Sequence, residues 1–262
     1  DLTSSQGVIL YPHQFLMMIS SANEKKTALG RFLGHANPLG RTTKWNGNLD
    51  FGVVPRNKEQ SFAYELLFNE DIPLVSLIGK AGSGKTLMAI SAGFEQVLGL
   101  KEPKYKKLVV SRPVQPLGKD IGFLPGSMHD KMLPWLMPIQ DNIQYLLGND
   151  RAMLAGYMEK GQIELEALTY IRGRSINNAY IIIDEAQNLT AHEVKTIITR
   201  VGENTKIVLT GDIEQIDNVY TSETSNGLAY AVEKFKKSEL AGHITFKKGE
   251  RSKIATLASK IL

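Results

Sequence analysis

Two separated stretches of the chain carry residue types suited to phosphate chemistry. Gly79-Lys80-Ala81-Gly82-Ser83-Gly84-Lys85-Thr86 has the spacing G-x-x-x-x-G-K-[ST]. Such a loop offers backbone N–H groups to a triphosphate, a lysine to its β/γ charge and a hydroxyl to Mg²⁺. Lys85 and Thr86 fill those last two roles, and Gly82 and Gly84 let the backbone come close beside Ala81 and Ser83. Further on, Ile181-Ile182-Ile183-Asp184-Glu185-Ala186-Gln187 ends an apolar run in two carboxylates. Asp184 is suited to hold the metal, and Glu185 to polarise an attacking water. A third stretch, Lys206-Ile207-Val208-Leu209-Thr210, leads into Gly211-Asp212-Ile213-Glu214-Gln215, where Gln215 could contact a γ-phosphate or its water. Alone, each has an ordinary reading as a glycine loop, a solvated strand end or a turn. Together and in this order they favour a nucleotide hydrolase.

That chemistry needs a strand before the glycine loop and a helix after it, so that unpaired helix N–H groups face the phosphates. Leu74–Ile78 reads as the strand, and the helix is expected to run to about Leu98. Further short apolar runs follow at Leu108–Ser111, Tyr180–Asp184, Ile207–Thr210 and Ile244–Phe246, with Ile163–Tyr170 alternating. Runs of this kind separated by helical stretches predict an α/β fold, a mostly parallel sheet flanked by helices over 55–262. The Asp184 strand is expected beside the glycine-loop strand. A helix is predicted over Lys58–Phe68. Thr190-Ala191-His192-Glu193 reads as a capping box opening a helix whose apolar face is Val194, Ile197, Ile198 and Val201, stopping near Gly202. His192 is then an exposed first-turn residue. Residues 1–54 read as a small β-rich N-terminal appendage, with a hairpin of Thr42–Trp45 and Leu49–Val54 around Asn46-Gly47-Asn48.

Bulk properties exclude several classes. The 262 residues contain no cysteine, which rules out disulfides, thiolate metal sites and cysteine nucleophiles and agrees with a cytoplasmic location. No apolar run approaches the roughly 20 residues of a membrane span. A net charge of +4 is too mild to argue for nucleic acid by itself. The chain opens at Asp1 without Met or a signal peptide, as a fragment or processed chain would.

The three motifs look like those of superfamily-one helicases, and Gln60 in Asn57-Lys58-Glu59-Gln60 resembles their adenine-reading glutamine. The stretch from about 55 to 262 is similar to the PhoH family of P-loop ATPases. Ser111-Arg112-Pro113, Gly122-Phe123-Leu124-Pro125-Gly126, Tyr170-Ile171-Arg172-Gly173-Arg174-Ser175 and Glu250-Arg251-Ser252 carry that likeness. The resemblance implies a RecA-like fold and Mg²⁺-dependent ATP hydrolysis coupled to single-stranded RNA binding or unwinding in a homo-oligomeric ring, a hexamer. The leading segment also resembles what precedes the ATPase in two-domain PIN–PhoH proteins. No PIN domain is visible, so nuclease activity is not expected of this chain.

A helicase site lies between two RecA-like halves, and this chain has room for one. The missing arginine would come from a neighbouring copy. Arg251 is the first candidate, with Arg172, Arg174 and Arg200 behind it, and a surface salt bridge is the ordinary alternative for each. Arg112, Lys119 and Lys131 with Phe123 and Trp135 could contact RNA, as could Arg41, Lys44 and Trp45, although such aromatics also pin loops to a core. Lys101, Lys104, Lys106 and Lys107 read as a solvated connection. Two other functions compete: a nucleotide-switched RNA- or protein-binding module without translocation, and a small-molecule kinase, which has no evident use for Gln215.

Overall fold

Apolar residues on alternate sides of a strand need cover on each side, and the first sheet of this chain finds it only in part. A computed structural model describes residues 9–34, 39–43, 45, 49–99, 101–113, 128–168, 171, 173, 175–218, 221–222, 225–247 and 249, with backbone alone at 128–134 and 167. Phe15–Ser20 (β1) and Asn23–Arg31 (β2) form an antiparallel hairpin, to which Gly40–Arg41 (β3) adds on the β2 edge. Phe15 stacks on Phe62, ring centroids 4.1 Å apart, and docks this sheet on the larger domain.

The hairpin expected over 42–54 is therefore replaced by one earlier in the chain. Leu49–Val54 forms no strand, and 46–48 lie outside the described residues. The reason is where its donors go. Phe51 N–H donates to Glu95 Oε2 (3.2 Å) and Val53 N–H to the Tyr64 hydroxyl (2.9 Å), so helix side chains take the place of a partner strand. Trp45 stacks on Phe68 at 4.8 Å and leans on Tyr64, which pins it to the core.

The larger sheet contains six parallel strands: Leu74–Gly79 (β4), Lys107–Arg112 (β5), Ile163–Ala167 (β6), Ala179–Ile183 (β7), Lys206–Gly211 (β8) and Ala241–Phe246 (β9). Their order is β6-β5-β7-β8-β4-β9. Alternate residues feed two cores. Val75, Leu77, Val110, Ile182 and Val208 face one, while Leu74, Val109, Ile181, Ile183 and Leu209 face the other. Both sides are thus dry, which is why these strands read as unbroken apolar runs. Each buried aliphatic side chain contributes roughly 1.5–3 kcal/mol.

One expectation about order is overturned. Strand β7, which leads directly into Asp184, does not adjoin β4; β8 lies between them and pairs with both. A polar Thr210 at the end of β8 thereby reaches the site from the middle position.

Helices Lys58–Leu67 (α1), Lys85–Phe94 (α2), Met128–Leu146 (α3), Arg151–Glu159 (α4), Ala191–Ile198 (α5) and Gly227–Phe235 (α6) complete the domain. Asn57 caps α1 by accepting from Gln60 N–H. The α2 helix continues into a π turn over Glu95–Gly99. The capping box at α5 is complete, with Thr190 and Glu193 each bonding the other's backbone, and His192 is exposed. That helix ends at Ile198 rather than near Gly202, because Val201 bridges to Ile176. At the far end of α1, Lys206 is 1% exposed and donates to the carbonyls of Leu66, Asn69 and Ile72 at 3.2, 2.7 and 2.7 Å. A lysine at the mouth of β8 thus satisfies the last turn of the helix that carries Gln60. Among the described residues no helix is long and apolar enough to cross a membrane.

Candidate active site

The carboxyl ends of β4, β7 and β8 converge, the usual place for a ligand in an open parallel sheet. Gly79 closes β4 at φ 151°, and a Cβ there would lie 2.6 Å from the Phe246 carbonyl on β9. Gly82 and Gly84 follow at φ 77° and 90°, in the left-handed region that only glycine enters freely. The loop then runs into the N-terminus of α2, whose unpaired N–H groups and positive dipole end suit phosphate.

Lys85 turns back on this loop, its Nζ donating to Gly79 O (2.6 Å) and Lys80 O (3.0 Å). Thr86 Oγ1 donates to Asp184 Oδ1 (2.7 Å), and Thr210 Oγ1 donates to the same oxygen (2.6 Å). A hydroxyl and a carboxylate within hydrogen-bond reach, beside a phosphate-binding loop, fit Mg²⁺, which prefers few hard oxygen ligands and keeps several waters. Ala81, Gly82, Lys85, Thr86, Asn142 and Glu185 are among the residues lining a cavity of about 290 Å³ at this point.

Glu185 follows Asp184 in a left-handed conformation, φ 52°, unusual for a residue other than glycine. Its Oε2 accepts from Gln187 Nε2 at 2.6 Å, and its Oε1 lies 3.5 Å from Arg112 Nη2. Burial raises its carboxyl above the ordinary value and the Asp184 charge adds to this, against the pull of Gln187, Arg112 and Lys85.

Gln187 is a junction. Its Nε2 also donates to the Gln215 carbonyl (2.8 Å), and its Oε1 accepts from Asp212 N–H (3.1 Å). Asp212 in turn accepts from Ala81 N–H on the glycine loop (2.8 Å) and Glu214 N–H (3.0 Å), and Lys80 pairs with Glu214 at 3.0 Å. The three motifs are thus one hydrogen-bonded unit.

The other residues given roles from the sequence occupy the following places around the site. Gln60 is buried, its Nε2 donating to Ser83 O (3.1 Å) and its Oε1 accepting from Arg56 N–H (2.7 Å), so it buttresses the loop from α1. Gln215 is exposed and enters the network by its carbonyl. Arg112, read as an RNA contact, faces Asp184 and Glu185. Arg200 is exposed just past α5. Arg251, Arg172, Arg174, Lys119, Phe123 and Lys44, and the side chain of Lys131, lie outside the described residues. Sequence reasoning gave no role to Gln187, Thr210, Asp212 or Asn142. A polar residue closing a buried strand was the signal for Thr210; nothing local marks Asn142.

A family model described as "PhoH-like protein" matches residues 52–261. Protein PhoH2 of Bacillus subtilis is 51% identical over 96% of this chain and 57% of its own length. Protein PhoH2 of Mycolicibacterium smegmatis is 38% identical over 88% of the chain and 52% of its own length. Protein PhoH of Escherichia coli K12 is 33% identical over 75% of the chain and 53% of its own length. The chain thus spans about half the length of the curated relatives it matches. A solved structure, the Pif1 helicase of Candida albicans, aligns with a TM-score of 0.35 and 16% identity over 75% of this chain and 40% of that one.

Proposed function

The chain belongs to the PhoH family of P-loop proteins, and from that premise we propose that it hydrolyses ATP with Mg²⁺ and couples the reaction to single-stranded RNA. The observation that carries the hydrolytic part is the meeting of Thr86, Asp184 and Glu185 in one cavity with the glycine loop. Gly79–Thr86 and the start of α2 would hold the triphosphate by backbone N–H groups, and Lys85 would exchange its two carbonyl partners for the β/γ-phosphates. Thr86 and Asp184 would hold Mg²⁺, which supplies charge neutralisation at the phosphate oxygens. Glu185 would orient the attacking water and take up its proton. A carboxyl already raised by burial is a better base for that step than an exposed one.

Gln60 as a base-reading residue, Gln215 as a γ-phosphate sensor and RNA as the partner rest on the family likeness. The same likeness supports a homo-oligomeric ring, a hexamer, in which a neighbour's arginine, Arg251 first, completes the site. Such an arginine is worth roughly 10³–10⁵ in rate, so an isolated subunit should be a slow ATPase.

The test is phosphate release from Mg·ATP by the wild-type chain and Glu185→Gln, with ATP binding measured in parallel. Hydrolysis lost with binding retained supports the reading; equal hydrolysis by both overturns it. A titration with oligouridylate addresses coupling, since a rate flat across RNA concentrations would leave only a nucleotide-switched binding module. The solution mass with and without ATP tests the ring.

A further inference from the structure

The family likeness puts a glutamine at the base of the nucleotide, but the amide of Gln60 is already engaged. Its Nε2 donates to Ser83 O (3.1 Å), its Oε1 accepts from Arg56 N–H (2.7 Å), and the residue is 5% exposed. The same two bonds bring the backbone of Arg56 within one side-chain amide of the glycine loop.

Beside Arg56 opens a second cavity, of about 580 Å³, whose lining includes Phe51, Val53, Val54, Tyr145 and Leu146. One wall is the stretch after Asp50 that forms no strand, and it is fixed to the helices instead. Phe51 O accepts from Ser91 Oγ on α2 (2.9 Å), while the Tyr64 hydroxyl on α1 accepts from Val53 N–H (2.9 Å) and lies 2.7 Å from that same Oγ. The other wall is the last turn of α3. There Gly148 N–H donates to Tyr145 O (3.3 Å) and Asn149 N–H to Gln144 O (2.7 Å), closing the helix.

Helix α3 lines the phosphate cavity too, through Asn142. Asn142 and Tyr145 are three residues apart, which makes them neighbours on the helix surface at roughly 5–6 Å. The two cavities therefore approach each other along α3 and across Gln60, close enough for one nucleotide to occupy both. Tyr145 is 62% exposed and Val54 58%, and among the described residues no ring stacks on Tyr145. An exposed ring at a closed helix end, beside two valines, offers a flat apolar face to a planar ligand.

We propose that this second cavity receives the base of the bound nucleotide, with the Tyr145 ring stacked on one face and Val54 against the other. Tyr145 is then the residue that favours a nucleotide over a bare phosphate chain. The proposal rests on the nucleotide-binding reading above and extends it from the phosphates to the base.

The experiment is calorimetric titration of ADP and of inorganic pyrophosphate, each with Mg²⁺, into wild type, Tyr145→Ala and Tyr145→Phe. These ligands share a diphosphate and differ in the nucleoside, and neither is turned over by an ATPase. Wild type should bind ADP about ten-fold or more tightly than pyrophosphate. Tyr145→Ala should weaken ADP by roughly five- to a hundred-fold and leave pyrophosphate within about two-fold, while Tyr145→Phe, which keeps the ring, stays within about three-fold for ADP. In hydrolysis the same loss should raise KM for ATP with kcat little changed. Since Tyr145 is exposed, the Tm of Tyr145→Ala should stay near wild type. Unchanged ADP affinity in Tyr145→Ala, equal losses of ADP and pyrophosphate, or ADP no tighter than pyrophosphate in wild type would each overturn the base site. If wild type binds neither ligand, the nucleotide reading itself has failed and this proposal with it, so the two failures are told apart.

Discussion

Gly211→Ala should disable the junction at Gln187 while leaving the residues of the glycine loop themselves unaltered. A Cβ at Gly211 would stand 2.3 Å from Gln187 Oε1 and 2.7 Å from Leu228 Cδ2. Ordinary contact begins near 3.4 Å, so the amide must retreat by about 1 Å. That motion breaks the bond from Asp212 N–H and lengthens those to Glu185 and to the Gln215 carbonyl. A neutral hydrogen bond contributes about 1 kcal/mol and one to a carboxylate about 1.5–3, so losing part of the set costs about 2–3 kcal/mol. For a chain of this size the melting temperature should fall by roughly 5–10 °C. With Glu185 no longer aimed, kcat should fall by roughly ten-fold or more, while ATP binds within about three-fold of wild type. The assay is thermal unfolding and steady-state hydrolysis in two backgrounds, wild type and Gln187→Ala. Truncating Gln187 removes the main obstacle and leaves the Leu228 contact at 2.7 Å and the Gln187 backbone nitrogen at 3.3 Å, so Gly211→Ala should cost less in that background. An equal cost in both backgrounds would refute the clash with Gln187 as the cause.

Other outcomes follow from contacts away from that junction. Lys206→Met should lower stability by about 2–4 kcal/mol in urea unfolding, because three carbonyls at the end of α1 lose a charged donor, two of these bonds being buried. Its kcat at 25 °C should stay near wild type, since Lys206 starts β8 and the site lies about 16 Å away at its other end. Gly79→Ala, which forces a side chain against the Phe246 carbonyl at positive φ, should abolish measurable ATP binding before it abolishes folding; calorimetric titration would show it. His243 is held down to about 4 by burial first and by His13 second, and burial lowers His13 too. Below its unfolded value of 6.5 the unfolded chain takes the proton and the folded one does not, so stability falls as pH drops from 6.5 to about 4. The loss from His243 is at most about 3 kcal/mol, and His243→Leu should flatten the curve; an unchanged slope would count against it.

The parts of the site that are contiguous in sequence were legible there. Gly79–Thr86 and Asp184-Glu185 act through backbone shape and side-chain type, both of which are local. Thr210 and Asp212 depend on which strand neighbours which, and the sheet order that sets β8 between β4 and β7 has no local signature. Gln187 was in plain view beside Glu185, yet its role depends on a rotamer that reaches two loops at once. The place of Arg112 at the end of a strand was foreseeable, but its reach to Asp184 and Glu185 depends on that strand adjoining β7, which has no local signature. The appendage was recognised as β-rich, while its hairpin was sought at Asn46-Gly47-Asn48 and formed through Ser21-Ala22, which carries no strong turn chemistry.

The middle position of β8 also has a mechanical consequence. Through Thr210 this strand grips the carboxylate of Asp184, and just past its end Asp212 grips the N–H of Ala81. The two halves of the proposed triphosphate site are thus hung from one ribbon, with β7 on one side and β4 on the other. A sliding of β8 by a fraction of its residue spacing would pull on both at once, and with Leu228 of α6 packed against Gly211 the same displacement would be felt on the outer face of the domain. If the site holds ATP as proposed, a change at the γ-phosphate would therefore have a stiff, short lever to the surface that lies behind the sheet.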